Sequence, residues 1–251
     1  MLIKTQAIVL HSLPYSDNQW IVHLYTEDFG RVHYMATLSR NKGSQMKRAL
    51  FQPLSIIEVV ADHKGSKQLQ RLKEARMVYP CYNLCQDMRK NAISLFLAEV
   101  LYRSARENQA DSNLYHFLSH SIQWLDVCTN GVSNFHLVFL IKLSRYYGFF
   151  PNLEGLEEGR YFDLQGGAFV SSQPLHNAWL KPSDAQAFAG LMRINYENMS
   201  AFKFQHGQRL HLLRQMLNYF RIHLVDFPEI KSLEVMEEIF SDTDTGVPGS
   251  K

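Results

Sequence analysis

The side chains in this chain best suited to a chemical task are cations. Arg40, Lys42, Lys47 and Arg48 fall within nine residues, Arg40-Asn41-Lys42-Gly43-Ser44-Gln45-Met46-Lys47-Arg48. The surrounding stretch from Phe29 to Ile57 contains no Asp or Glu and adds Arg31. Unopposed Lys and Arg suit phosphate, which they neutralise with release of condensed counterions. The nine residues show no hydrophobic periodicity and include Gly-Ser, so they read as a cationic loop between two apolar, strand-like segments. A second group, Lys64, Lys67, Arg71, Lys73 and Arg76, follows downstream. Charge alone decides little, and the elements that carry these residues must decide the rest.

Other reactive pairings are weaker. His116 and His120 stand four apart on a helix-like stretch and could share a metal ion, but no third ligand is apparent. Cys81-x3-Cys85 lacks the second cysteine pair or histidine box of a structural zinc site. Cys128 and His136 could mimic a thiol–imidazole pair, yet nothing supplies a third group, and a buried structural thiol is the simpler reading. No G-x-x-x-x-G-K-[ST] or G-x-G-x-x-G occurs, and Glu157-Glu158 and Glu237-Glu238 are adjacent rather than facing carboxylates. The expectation is a protein that is not an enzyme and holds no cofactor and no metal.

The 251 residues suffice for one large or two modest domains. The formal net charge of +2 is unevenly spread: residues 1–80 hold 11 Lys+Arg against 6 Asp+Glu, and the remaining 171 hold 15 against 18. A basic amino-terminal module on a near-neutral body implies a local anionic partner. Three cysteines form no disulfide framework, which suits a reducing compartment. Met1-Leu2-Ile3-Lys4 does not open a secretory signal, and the richest apolar run, Leu137 to Ile141, is far too short to cross a bilayer. The expected location is cytoplasmic, with no membrane partner.

Five segments of the first 80 residues favour strand: Thr5–Leu13, Trp20–Thr26, Arg31–Leu38, Leu54–Val60 and Leu69–Ala75. In the third, Val32, Tyr34 and Ala36 alternate with Arg31, His33 and Met35, the period-two signal of a half-buried strand. Five short strands with one long basic connection suit an oligonucleotide-binding barrel, although another five-stranded domain would show the same periodicity. Such barrels bind single strands with a cationic groove and aromatic platforms. Tyr15, Trp20, Tyr34 and Phe51 are the candidate platforms, but Trp20 and Tyr34 sit in inward registers that favour the core. Past Pro80 the period becomes helical: Asn83–Glu107, Leu114–Val127, Ser133–Tyr147, Pro182–Ile194, Gly207–Leu224 and Leu233–Phe240 read as helices, the last capped by Ser232. Between them, Phe162–Leu164 and Ala168–Val170 form a short hairpin. The expected fold is α+β, with a barrel domain over 1–80, a mainly helical domain with a small β-hairpin insertion over 81–241, and a disordered tail over 242–251.

Several ordered landmarks resemble one family. Ala7-Ile8-Val9-Leu10-His11-Ser12-Leu13-Pro14-Tyr15-Ser16-Asp17 resembles the opening of RecO, the bacterial recombination mediator. So do Tyr25-Thr26-Glu27-Asp28-Phe29-Gly30-Arg31-Val32, the basic stretch Ser39–Arg48, and Ala49-Leu50-Phe51-Gln52-Pro53-Leu54. Tyr146-Tyr147-Gly148-Phe149-Phe150-Pro151-Asn152-Leu153 and Lys231-Ser232-Leu233-Glu234-Val235 resemble its later landmarks, in the same order. The resemblance covers nearly the whole chain. It implies a non-catalytic protein of DNA damage repair and homologous recombination that binds single- and double-stranded DNA and anneals complementary strands. With RecR, such a protein helps RecA replace single-strand-binding protein on DNA. Annealing requires only a cationic surface that lowers repulsion between phosphate backbones. The DNA-binding residues expected are Arg31, Arg40, Lys42, Lys47, Arg48, Lys64, Lys67, Lys73 and Arg76.

One departure stands out. Many relatives carry two C-x-x-C pairs that hold zinc after the Pro-Asn-Leu landmark, whereas Glu154–Trp179 here has no cysteine. The chain therefore resembles a form without the zinc ligands, and its Phe162–Val170 hairpin is expected to be held by packing. The family also implies recognition of the acidic, Phe-ended tail of single-strand-binding protein by an apolar pocket rimmed with cations. Lys142, Arg145, Arg209, Arg214 and Arg221 are eligible by composition. Two alternatives remain open: a helical protein-interaction adaptor with incidental DNA contact, and a metal-dependent enzyme using His116 and His120.

Overall fold

The computed structural model describes residues 1–38, 48–64, 67–157 and 159–244, with side chains as far as 240. Five strands, β1 (Leu2–Pro14), β2 (Gln19–Thr26), β3 (Gly30–Thr37), β4 (Ile56–Asp62) and β5 (Leu69–Tyr79), close into a barrel in the order β1-β2-β3-β5-β4. Every junction is antiparallel except β3–β5, where His33 to Met35 run parallel to Leu69 to Arg71. The core takes alternate residues from each strand, among them Val9, Val22, Leu24, Val32, Tyr34, Ile57, Val59 and Leu72. Ala7, Ala36, Ala61 and Ala75 fill the narrower places. The expected inward set of the third strand, Val32, Tyr34 and Ala36, is buried.

β1 breaks the alternation for a physical reason. Ala7 and Val9 join the barrel core, while Ile8 and Leu10 point outward and are buried all the same. They lie on the strand against which helix α2 (Met88–Ser104) packs, so the segment is apolar on both faces.

The helices are α1 (Tyr82–Gln86), α2, α3 (Ser112–Val127), α4 (Phe135–Tyr146), α5 (Pro182–Leu191), α6 (His206–His223) and α7 (Ser232–Asp244). The single helix expected over Asn83–Glu107 is divided at Asp87, whose carboxylate accepts the N–H groups of Arg89 and Lys90 and so starts a new helix. It also ends at Ser104, three residues early, because the chain then crosses β3. Asn108 N–H donates to the Arg31 carbonyl at 3.1 Å, and Gly30, at φ +66°, lets the Gln109 backbone approach so closely that a Cβ would collide with it.

Contacts group the chain into two compact units, Met1–Val127 with Ile230–Met236, and Cys128–Glu229 with the residues from Glu237 on. The first contains the barrel and α1–α3. Within it, buried Asp126 accepts the backbone N–H groups of Asn83 and Leu84 at 2.8 and 3.0 Å, tying α1 to α3. The second contains α4–α6 and a three-stranded sheet. There β6 (Tyr161–Asp163) pairs with β7 (Ala168–Val170) as the expected hairpin, and also with β8 (Trp179–Leu180), too short to show periodicity in the sequence. The hairpin is held by packing: Phe162 is fully buried against Phe169, Phe188 and Tyr219. Tyr219 also donates its hydroxyl to the Phe149 carbonyl at 2.8 Å. Helix α7 carries the backbone to Asp244, so the tail expected from 242 begins helical, and residues 245–251 lie outside the described residues.

Candidate nucleic-acid interface

Three histidines form one row across the outer face of the barrel. His11 on β1 is the register partner of His23 on β2, which is the partner of His33 on β3. Tyr102 of α2 lies against the row, 5.3 Å from His11 and 4.9 Å from His23 between ring centroids. His23 and His33 meet through their Nδ1 atoms, and His33 Nε2 lies 2.9 Å from Glu107 Oε1. Burial, reinforced by the His33, His11 and Arg31 charges, pushes His23 down to about 4. The hydrogen bond from His33, with the charge of Arg31 nearby, holds the Glu107 carboxyl below the usual range. The outer face of β1–β3 is therefore occupied by the end of α2 and the segment after it. Three histidines on three successive strand-like segments were the only trace of this row in the sequence.

The cations sort by their partners. Arg31 shares the outer face of β3 with His33 as expected, but it is committed within the chain. Its guanidinium donates to the Tyr102 carbonyl, stacks at 5.5 Å on the Tyr102 ring and lies 2.8 Å from Glu107 Oε1, with its side chain only 18% exposed. Arg76 is paired with Glu58 at 2.6 Å, and Lys4 reaches the same carboxylate at 3.2 Å. By contrast Arg48, Lys64, Lys67, Arg71 and Lys73 are exposed and have no carboxylate partner among the described residues. Lys67, Leu69, Arg71 and Lys73 run at alternate positions along the outward side of β5 and its approach. The buried Gln70 amide fixes that approach: its Oε1 accepts the Lys64 N–H and its Nε2 donates to the Lys64 and Lys67 carbonyls. Arg40, Lys42 and Lys47 lie outside the described residues.

Of the candidate platforms, Tyr34 and Phe51 are buried and belong to the core. Trp20 is half-buried, packed on the core by one side, and carries the Arg48 guanidinium 4.8 Å from its ring centroid. Tyr15 is 65% exposed.

In the second unit, the five cations considered for a protein partner are not gathered together. Lys142 lies 4.5 Å above the Tyr196 ring, where burial lowers its ammonium below the ordinary lysine range. Arg145 covers Phe150 at 4.2 Å, Arg214 is 3.2 Å from Glu237, and Arg221 is exposed. Of the five, only Arg209 lines the cavity of about 740 Å³ at the start of α6, with Asn134, Phe202, Lys203, Phe204 and His206. Arg209 Nε donates to Asn134 Oδ1 at 3.2 Å, and Asn134 in turn donates to the Met199 and Phe202 carbonyls, so the cavity wall is braced.

The other reactive groups have structural surroundings. His116 Nε2 lies 3.5 Å from the Glu27 carboxylate, and no cluster of three or more His, Cys, Asp or Glu able to hold a metal occurs among the described residues. Burial raises the Cys81 thiol to about 12, far from a reactive thiolate. No helix among the described residues is long and apolar enough to cross a membrane.

Comparison with known proteins now bears on these features. Residues 1–81 match the family model described as Recombination protein O N terminal, and residues 85–234 match Recombination protein O C terminal. The chain belongs to the RecO family. It is 47% identical over 241 residues to the DNA repair protein RecO of Phocaeicola vulgatus, covering 96% of this chain and all of that protein. The RecO of Bacteroides fragilis is 45% identical over the same span, and that of Porphyromonas gingivalis 36% identical over 244 residues, each matched along its full length. RecO membership agrees with the resemblance drawn from the ordered landmarks.

Proposed function

We propose that this protein acts in DNA repair as a non-catalytic recombination mediator that binds single- and double-stranded DNA, anneals complementary strands and, with RecR, helps RecA gain access to DNA covered by single-strand-binding protein. The observation that carries this reading is the set of exposed, carboxylate-free cations on one barrel, Arg48, Lys64, Lys67, Arg71 and Lys73. Cations at alternate positions of a strand can follow successive phosphates of an extended chain, and their contacts require no chemistry beyond counterion release. Arg40, Lys42 and Lys47, close to Arg48 in the sequence, add to its positive charge in this reading.

For the acidic, Phe-ended tail of single-strand-binding protein, the cavity at the start of α6 is the favoured seat. Phe202 and Phe204 offer apolar surface to a terminal ring, while Lys203 and Arg209 offer charge to carboxylates. Strand annealing with single-strand-binding protein present, and repeated with that protein lacking its tail, tests both parts. Annealing that is absent from the wild type would overturn the proposal. Annealing unaffected by removal of the tail would overturn the assignment of the cavity.

A further inference from the structure

We propose that Trp20, beneath the Arg48 guanidinium, is the platform on which a base of single-stranded nucleic acid stacks. The inference rests on the DNA-binding reading above and adds to it the place on the barrel where a base is held. The outer face of β1–β3 is occupied, because the His11–His23–His33 row lies against Tyr102 and Arg31 is bound to Glu107. Two further candidate rings, Tyr34 and Phe51, are buried in the barrel. Trp20 differs from both. It packs on the core, which fixes the ring, and the guanidinium of exposed Arg48 lies 4.8 Å from its centroid.

The surroundings hold the ring where a strand could reach it. Trp20 pairs with Pro14 on β1 and Ala36 on β3, and Tyr15 follows Pro14 directly at the mouth of the β1–β2 hairpin. Arg48 opens the short 3-10 turn Arg48–Phe51, which is anchored by the buried Phe51 ring and by Ser12 Oγ donating to the Phe51 carbonyl at 3.0 Å. Arg48 has no carboxylate partner among the described residues, so leaving the ring breaks no ion pair. An exposed cation–π contact is worth roughly two- to fivefold in an equilibrium. A base stacked on an aromatic ring is worth roughly 5- to 100-fold. The base therefore displaces the guanidinium, which turns out to the phosphate of the same nucleotide. Arg48 thus serves as the cover of the platform when DNA is absent and as its phosphate contact when DNA is bound.

The test uses the full-length protein and oligothymidylate. With a photoreactive 5-iodouracil in the oligonucleotide, crosslinking to the wild-type protein and peptide mapping should identify Trp20, with no variant required. Trp20→Leu, checked for an unchanged thermal transition, should bind about 5- to 30-fold more weakly with the same salt dependence. Arg48→Gln should instead lower the salt slope by about 0.7. Crosslinks confined to other residues, or wild-type affinity in Trp20→Leu, would overturn the platform while leaving DNA binding intact. Failure of the wild type to bind oligothymidylate at all would overturn the functional reading, and the platform with it.

Discussion

Arg31 Nη2 donates to Glu107 Oε1 at 2.8 Å, joining residues 76 apart in the chain. The contact turns a cation that looks free in the sequence into a brace between β3 and the segment after α2. Its carboxylate partner is 45% exposed, so the ion pair itself is screened and worth about 1 kcal/mol or less. Glu107→Gln should lower the thermal midpoint only slightly. Arg31→Ala should cost more, about 2 kcal/mol, because it also removes packing on Tyr102 and a bond to the Tyr102 carbonyl. Chemical denaturation of the two variants measures the difference, and equal losses would show that the pair, not the packing, dominates.

The histidine row should make the protein sensitive to acid. His23 is held near 4 in the fold against 6.5 when unfolded. Between those values the unfolded chain binds a proton that the folded chain refuses, so the stability associated with neutral His23 is present above about pH 6.5 and is lost as pH falls toward 4. His136, lowered to about 3 chiefly by its burial and also by Arg209, acts in the same direction. Thermal midpoints measured from pH 7.5 to 4.5 should fall in wild type, and fall less in His23→Gln. Parallel curves for the two proteins would remove His23 as a cause.

Gly30 should not tolerate a side chain. Its φ of +66° strains any L-residue, and a Cβ would meet the Gln109 backbone, which cannot swing away as a side-chain tip could. Gly30→Ala should cost about 3 kcal/mol or more in equilibrium unfolding. A loss below about 1 kcal/mol would mean that the 105–109 segment moves off β3 with ease.

The salt dependence of single-stranded DNA binding separates free from committed cations. Replacing Lys64, Lys67, Arg71 and Lys73 together by Ala should reduce the slope of log affinity against log salt by up to about 2.8, roughly 0.7 for each phosphate that is no longer neutralised. Replacing Arg76, which Glu58 already neutralises, should leave the slope nearly unchanged. Fluorescence anisotropy across a salt series reads both, and a fall of about 0.7 for Arg76 alone would show that pairing within the chain does not set the DNA-binding surface.

Much of the architecture was legible in the sequence. Alternation placed Val32, Tyr34 and Ala36 on the buried face of their strand because a strand sends successive side chains to opposite faces, so burial of one face leaves a period of two. The change of period after Pro80 announced the helices, and Phe162 and Phe169 marked the hairpin that packs without cysteine ligands. The Asp87 cap is masked in the sequence, because the apolar stripe of α2 continues the spacing of α1 across it. β8 had only two residues and no pattern to offer.

Which cations are free was decided by the tertiary structure. Arg31 and Arg48 are alike in sequence, each a basic residue in a stretch without acids. Folding brings Glu107 to the first and the Trp20 ring to the second. Periodicity reports how each residue faces its own strand or helix, and it contains nothing about which distant element covers the outward face. The pairing of a charge depends on a partner tens of residues away. The sequence thus determined the five strands, their basic character and the family, while tertiary structure closed the barrel and the long-range packing of α2 and its following segment determined which outward residues of β1–β3 are covered.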